Sequence, residues 1–187
     1  MKYIITFLGL IAFILFTINV SGQDSNRPAI LFGVEFQVYP TGILPGLRLE
    51  LPVSNHDGLH LRLGYNAFNH RDLGVQDREV GGGFGGTLGY RHYFGDYEAF
   101  FLGARNDLWF NTVNWTMNQG AANESTGTTE IIVVQPTAEA GYLFNFSDKW
   151  SLAPSIGFGF EVNAVSNGED VGQGAILLLG ISAMIHK

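Results

Sequence analysis

The sequence predicts an all-β protein, an eight-stranded antiparallel up-and-down barrel that crosses a membrane with strands. Three observations carry that prediction. Residues 132–146 and 150–162 alternate in character over a length that strands of soluble sheets rarely reach. One face of every predicted strand is apolar, while the other carries glycines interspersed with arginines and carboxylates. Charged residues make up only 14% of the chain, against about 25% in an ordinary soluble domain.

The hairpin 132–162 is the template. Ile132, Val134, Pro136, Ala138, Ala140, Tyr142, Phe144 and Phe146 share one parity, with Val133, Gln135, Thr137, Glu139, Gly141, Leu143 and Asn145 between them. After a turn at 147–149, Trp150, Leu152, Pro154, Ile156, Phe158 and Phe160 alternate with Ser151, Ala153, Ser155, Gly157, Gly159 and Glu161. A period of two marks strands. About a dozen residues is the length a tilted strand needs to cross hydrocarbon.

The other elements follow in order. Residues 1–22 read as a secretory signal peptide: Lys2, a long apolar run, then Val20-Ser21-Gly22 as a cleavage region before polar residues. Residues 23–187 are then the barrel domain. The first strand, 29–39, sets Ile30, Phe32, Val34, Phe36 and Val38 against Leu31, Gly33, Glu35, Gln37 and Tyr39. Pro40-Thr41-Gly42 turns it. The second, 43–53, opposes Leu47, Leu49 and Leu51 to Gly46, Arg48 and Glu50, and the third, 59–68, opposes Leu59, Leu61, Leu63 and Tyr65 to His60, Arg62, Gly64 and Asn66. The fourth, 82–94, places Phe84, Leu88 and Tyr90 opposite Gly85, Gly89 and Arg91, and ends at a turn of Gly95-Asp96. In the fifth, 97–112, Phe100, Leu102, Leu108 and Phe110 face away from Phe101, Gly103, Arg105, Asp107 and Trp109. After the template hairpin, 174–187 is the last strand. Short connections (55–58, 95–96, 147–149) alternate with long ones (69–81, 113–128, 164–173), as short periplasmic turns alternate with long outer loops in outer-membrane barrels.

A soluble ligand-carrying barrel would alternate too, with its apolar face inward. The polar face here argues against that arrangement. It is crowded with glycine, which weakens strands and which a narrow interior needs, so that small residues can sit beside large ones. Arg48, Arg62, Arg91 and Arg105 accompany Glu35, Glu50, Asp107, Glu139 and Glu161 on that face. Buried charges are tolerated only when they nearly cancel. These nine residues are therefore expected to form a charge network filling the lumen, with the leucines and phenylalanines outside. Phe94, Tyr97, Phe144, Phe146 and Trp150 at one end, and Tyr39, Tyr65, Phe110 and Trp115 at the other, are expected to form interfacial girdles.

A signal peptide, eight alternating strands, an arginine–carboxylate interior and Gly89-Tyr90-Arg91-His92-Tyr93-Phe94 closing a strand at its turn together resemble the small eight-stranded outer-membrane barrels. These include the OmpA transmembrane domain, OmpX and the broad outer-membrane β-barrel families. The resemblance implies a monomer in the bacterial outer membrane, placed there by the barrel-insertion machinery and touching outer-membrane lipid and lipopolysaccharide. It also implies a structural or surface-interaction role, with 69–81 and 113–128 as the contact surface.

Other chemistry is weakly signalled. A net charge of −7 speaks against nucleic acid, and the absence of cysteine removes thiol chemistry and thiolate metal sites. Gly81 to Gly86 contains a G-x-G-x-x-G pattern, but it opens a strand, without the following helix that phosphate binding requires. Ser182 and His186 share a face about 13 Å apart, beyond hydrogen-bond reach. No catalytic, cofactor or metal site is expected. A lipid-modifying outer-membrane enzyme, requiring a Ser–His–acid cluster gathered across strands, is the alternative; a soluble lipid-binding barrel is the less favoured one, and a narrow pore is a variant of the main reading. The acidic residues of the long loops (Asp72, Asp77, Glu79, Glu124, Glu169, Asp170) read as solvated loop charges, with binding of divalent cations among lipopolysaccharide headgroups as the less favoured reading.

Overall fold

The structure, a computed structural model, describes residues 30–71, 76–94, 100–147 and 149–186. The expected leader 1–22, the Gly95-Asp96 turn, Tyr97 and Asp72 lie outside the described residues. The strands are β1 (Leu31–Tyr39), β2 (Gly42–Pro52), β3 (Asp57–Arg71), β4 (Arg78–Tyr93), β5 (Phe100–Met117), β6 (Ser125–Tyr142), β7 (Phe144–Ser147), β8 (Trp150–Asn167) and β9 (Gly174–His186). All pairings are antiparallel, and β1 pairs with β9 as well as β2, closing the ring. β6 and β7 both lie against β8 and form one stave, interrupted where Leu143 drops out of the ladder. Among the described residues the barrel therefore has eight staves.

Local chemistry accounts for the irregularities. Pro45 and Pro136, which carry no N–H, fall where the β2–β3 and β6–β8 ladders skip pairs. Ile132 pairs with Val165 but Val133 pairs with Asn163, so Ala164 is an extra residue and the strand bulges. The bulge lies beside Asn163, whose side-chain amide donates to the carbonyls of Val171 (3.2 Å) and Gly172.

The alternation read from the sequence is the alternation of the walls. Arg48 is fully buried, whereas Leu63 and Phe84 are each 73% exposed. The outer face is a continuous apolar belt, including Phe32, Leu47, Phe110, Phe158 and Leu179. Glycines face large inward side chains across the strands: Gly85 pairs with Trp109, Gly141 with Phe101, Gly127 with Trp115 and Gly89 with His60. At Gly85 an added Cβ would collide with the Leu108 carbonyl and the Trp109 ring. Gly85→Ala is accordingly expected to destabilise the folded barrel by about 1–3 kcal/mol. Urea titration in detergent, followed by tryptophan fluorescence, measures this, and an unchanged midpoint would contradict the packing described.

Two sequence expectations change. The segments 69–81 and 113–128 are mostly strand, and so is the start of 164–173: β3 runs to Arg71, β4 begins at Arg78, β5 runs to Met117, β6 begins at Ser125 and β8 runs to Asn167. Only 72–77, 118–124 and 168–173 connect them. Polar Thr- and Asn-rich sequence reads as loop, but each residue here finds a ladder partner across the hairpin, such as Thr116 with Thr126. The second change concerns the girdles. Tyr39 and Trp115 stand at inward parity and pack on the upper core, their polar atoms reaching Asn66 (2.6 Å) and Thr129 (3.2 Å). Tyr65, Phe94, Phe110, Phe144, Phe146 and Trp150 do face outward and are exposed.

Candidate functional site

Midway along the lumen, inward positions on β1 to β6 bring four guanidinium groups among four carboxylates. Glu35 is the hub: its carboxylate accepts hydrogen bonds from Arg48, from Arg62 Nη1 (3.0 Å), from Arg105 Nη1 (3.2 Å) and from the Ser182 hydroxyl (3.2 Å). Arg48 also donates to Glu50 at 2.7 Å. Arg62 reaches Asp107 at 2.6 Å, Gln37 at 2.6 Å and Thr87 at 3.0 Å. Arg91 grips Glu139 with two hydrogen bonds, 2.7 and 3.1 Å, in the fork geometry that suits arginine to carboxylate. Two guanidiniums also lie over rings, Arg62 over Trp109 and Arg91 over Phe101 at 4.0 Å. His60 is fully buried with its Nε2 3.9 Å from Glu139.

Eight of the nine residues expected in the lumen network are joined in this way: Glu35, Arg48, Glu50, Arg62, Arg91, Arg105, Asp107 and Glu139. Four positive groups face four negative ones, so the network is electrically neutral. Glu161 has the inward parity but lies higher, where β8 meets the start of β9. Among the described residues no ion pair reaches it.

Apolar layers lie above and below the charges. Leu31, Tyr93, Phe101, Leu143, Ala153 and Met184 form one cluster towards the 53–56 and 147–149 turns. Leu44, Trp109, Val113, Ile131, Val133, Val171, Ile176 and Leu178 form the other. Composition marks the inward charges but not these plugs, although Trp109 and Phe101 stand at inward parity. Eight strands leave an interior just wide enough for side chains, and here large apolar ones occupy both ends of it. The arrangement is a packed core with a charged middle layer.

The mouth at the end of the β3–β4 and β5–β6 hairpins, the outer one in the expected orientation, is built differently. The segment 168–173 crosses it, with Val171 in the upper apolar cluster. Gln76 donates to the Asp170 carbonyl (2.6 Å), Thr129 to the Glu169 carbonyl (2.9 Å), and the Gly172 N–H to Glu79 (3.0 Å). Beside this strap is a cavity of about 320 Å³ whose lining includes Tyr39, Phe68, His70, Glu79, Ile131, Glu161 and Ile176.

One Ser–His–acid group does gather, at the opposite end. Ser54 Oγ donates to Asp57 (2.5 Å), Tyr90 also donates to Asp57, and His92 Nδ1 stands 2.8 Å from the same carboxylate. The order is unsuited to nucleophilic catalysis, because the serine proton goes to the carboxylate and not to the imidazole. These bonds, that from Ser54 first, hold the Asp57 carboxyl below its ordinary value and lock the turn. Ser182 donates to Glu35.

The charged middle layer, apolar exterior and ring closure define an eight-stranded antiparallel barrel with its ion pairs inside and an apolar belt outside. No family model and no curated protein matches the chain. Among solved structures it is similar to the N-terminal β-barrel domain of Pseudomonas aeruginosa OprF, at 13% identity and TM-score 0.46, covering 84% of this chain and 98% of that one. It is also similar to Neisserial surface protein A, at 10% identity and TM-score 0.49, covering 84% and 96%. The Yersinia pestis attachment invasion locus protein Ail aligns at 9% identity and TM-score 0.49, covering 86% and 98%. Likeness at this level carries no functional inference.

Proposed function

We propose that the chain is an integral outer-membrane protein that works as a monomeric, non-enzymatic scaffold. In this reading it presents the β3–β4 and β5–β6 hairpins to a surface partner, and its lumen is closed to ions. The observation that carries the reading is the inversion of polarity across every wall. Among the described residues thirty large hydrophobic side chains are exposed, where a soluble monomer leaves an apolar patch of only a few hundred Å² bare, while Arg48, Arg62, Arg91 and Arg105 are sealed inside. Hydrocarbon is the solvent that suits such a surface. The two hairpins support the interaction role. They rise past the apolar belt as paired strands and are tied to each other where the Gln119 N–H donates to Asp77 (2.8 Å). Loops on a rigid base are where binding usually lives.

The test is fractionation followed by bilayer recording. The protein should partition with outer-membrane lipid, change gel mobility when boiled in detergent, and show no stepwise conductance in planar bilayers. Recovery in the soluble periplasm would end the membrane reading. Steady single-channel steps would end the sealed-lumen reading alone.

A further inference from the structure

The neutral lumen network leaves two inward carboxylates unaccounted for. The four lumen arginines are matched by Glu35, Glu50, Asp107 and Glu139. Glu79 and Glu161 stand apart, both lining the cavity at the outer mouth, and no lysine or arginine is among its described lining residues. Glu79 is 2% exposed; it accepts from Gly172 and has His70 Nε2 at 3.3 Å. Glu161 has no hydrogen bond or ion pair among the described residues, and the buried Nδ1 of His70 has no partner there either. Around these groups the walls are aromatic and aliphatic, with Tyr39, Phe68, Ile131 and Ile176. A volume of about 320 Å³ corresponds to about ten water molecules of liquid. Small-molecule sites have this character: mostly apolar, concave, with few polar groups converging. The sign of the polar groups decides what fits. Two carboxylates beside aromatic faces favour a cation with an apolar body, through ion pairing and the ring quadrupole.

We propose that the outer-mouth cavity binds a small organic cation, a primary amine on a short aromatic or aliphatic body. The ammonium lies between Glu161 and Glu79, and the body lies against Tyr39, Phe68 and Ile176. Val171, Gly172 and Gln173 of the strap line the cavity, so the strap's hydrogen bonds to Gln76, Glu79 and Thr129 hold it in shape. An alcohol of the same shape would keep the apolar contacts and lose the charge; a carboxylate would meet repulsion from both glutamates.

The experiment uses the whole mature protein in lipid nanodiscs, with empty nanodiscs as the blank and folding checked by circular dichroism. Phenethylamine, 2-phenylethanol and 3-phenylpropanoate are titrated calorimetrically against wild type, Glu161→Gln and Glu79→Gln. The expected result is saturable binding of the amine, at least tenfold tighter than the alcohol, with no binding of the carboxylate. Glu161→Gln, which keeps the shape, should weaken the amine at least tenfold and leave the alcohol unchanged. Equal binding of amine and alcohol, undiminished binding by both glutamine variants, or no saturable binding above the blank would each overturn the proposal. The circular dichroism control separates these outcomes from a failure of the barrel itself.

Discussion

Replacing Glu35 by alanine is expected to destabilise the barrel by about 3–5 kcal/mol, the cost of breaking a buried charge pair from one side. The size follows from what Glu35 holds. Arg48, Arg62 and Arg105 all donate to it, and its loss gives the lumen a net positive charge, sealed between two apolar plugs where water cannot easily screen it. Arg62 keeps Asp107 and Gln37, and Arg105 keeps Gln37, but Arg48 is left with Glu50, which Arg91 also approaches at 3.5 Å. The double variant Glu35→Ala with Arg48→Met restores neutrality. It should recover most of the loss, because replacing both members of a buried pair with apolar groups is often neutral or stabilising. Urea midpoints of the refolded protein, with heat-modifiable mobility as a second reading, measure both. A single variant within about 1 kcal/mol of wild type would contradict the network.

The face that each of these residues occupies is legible in the sequence, whereas its height in the barrel is not. Parity gave the inward and outward faces throughout, because in a closed barrel each side chain has only two choices and a strand cannot slip by one residue without exchanging them. Glu35, Arg62 and Arg105 could therefore be assigned to one lumen from spacing alone. Height along the axis is another matter. It depends on strand register, which hairpin composition specifies weakly, so parity alone groups Glu161 with charges that lie well below it. Tyr39 and Trp115 show the same loss of information: their position near strand ends suggests an interface, but inward parity puts them in the upper plug. Strand ends were least legible. Asn114 and Thr128 look like loop residues, yet they are ladder partners whose side chains bond at 2.9 Å. Pairing across a hairpin satisfies the backbone whatever the side chains are, and no local pattern announces it.

Leu63→Arg is expected to cost about 2–4 kcal/mol in lipid, the penalty for arginine on the lipid face at the bilayer midplane. Leu63 is 73% exposed, so in a water-soluble protein the same change would fall within about 0.5 kcal/mol of neutral. The size of the result therefore reports which solvent surrounds the barrel. Strand β3 also supplies its own depth scale. Its outward residues run Leu59, Leu61, Leu63, Tyr65, Ala67, Asn69, Arg71, and cross-strand pairing sets Leu63 beside Leu47 while Asn69 pairs with Val80. Asn69, two turns of the pleat above Tyr65 and already polar, should accept arginine at no measurable cost. A graded series, with arginine placed in turn at 61, 63, 65 and 69 and unfolding followed in vesicles, should peak at Leu63 and fall to zero at 69. A flat series would mean that no hydrocarbon layer lies against this wall, and the apolar belt would then need a protein partner in its place.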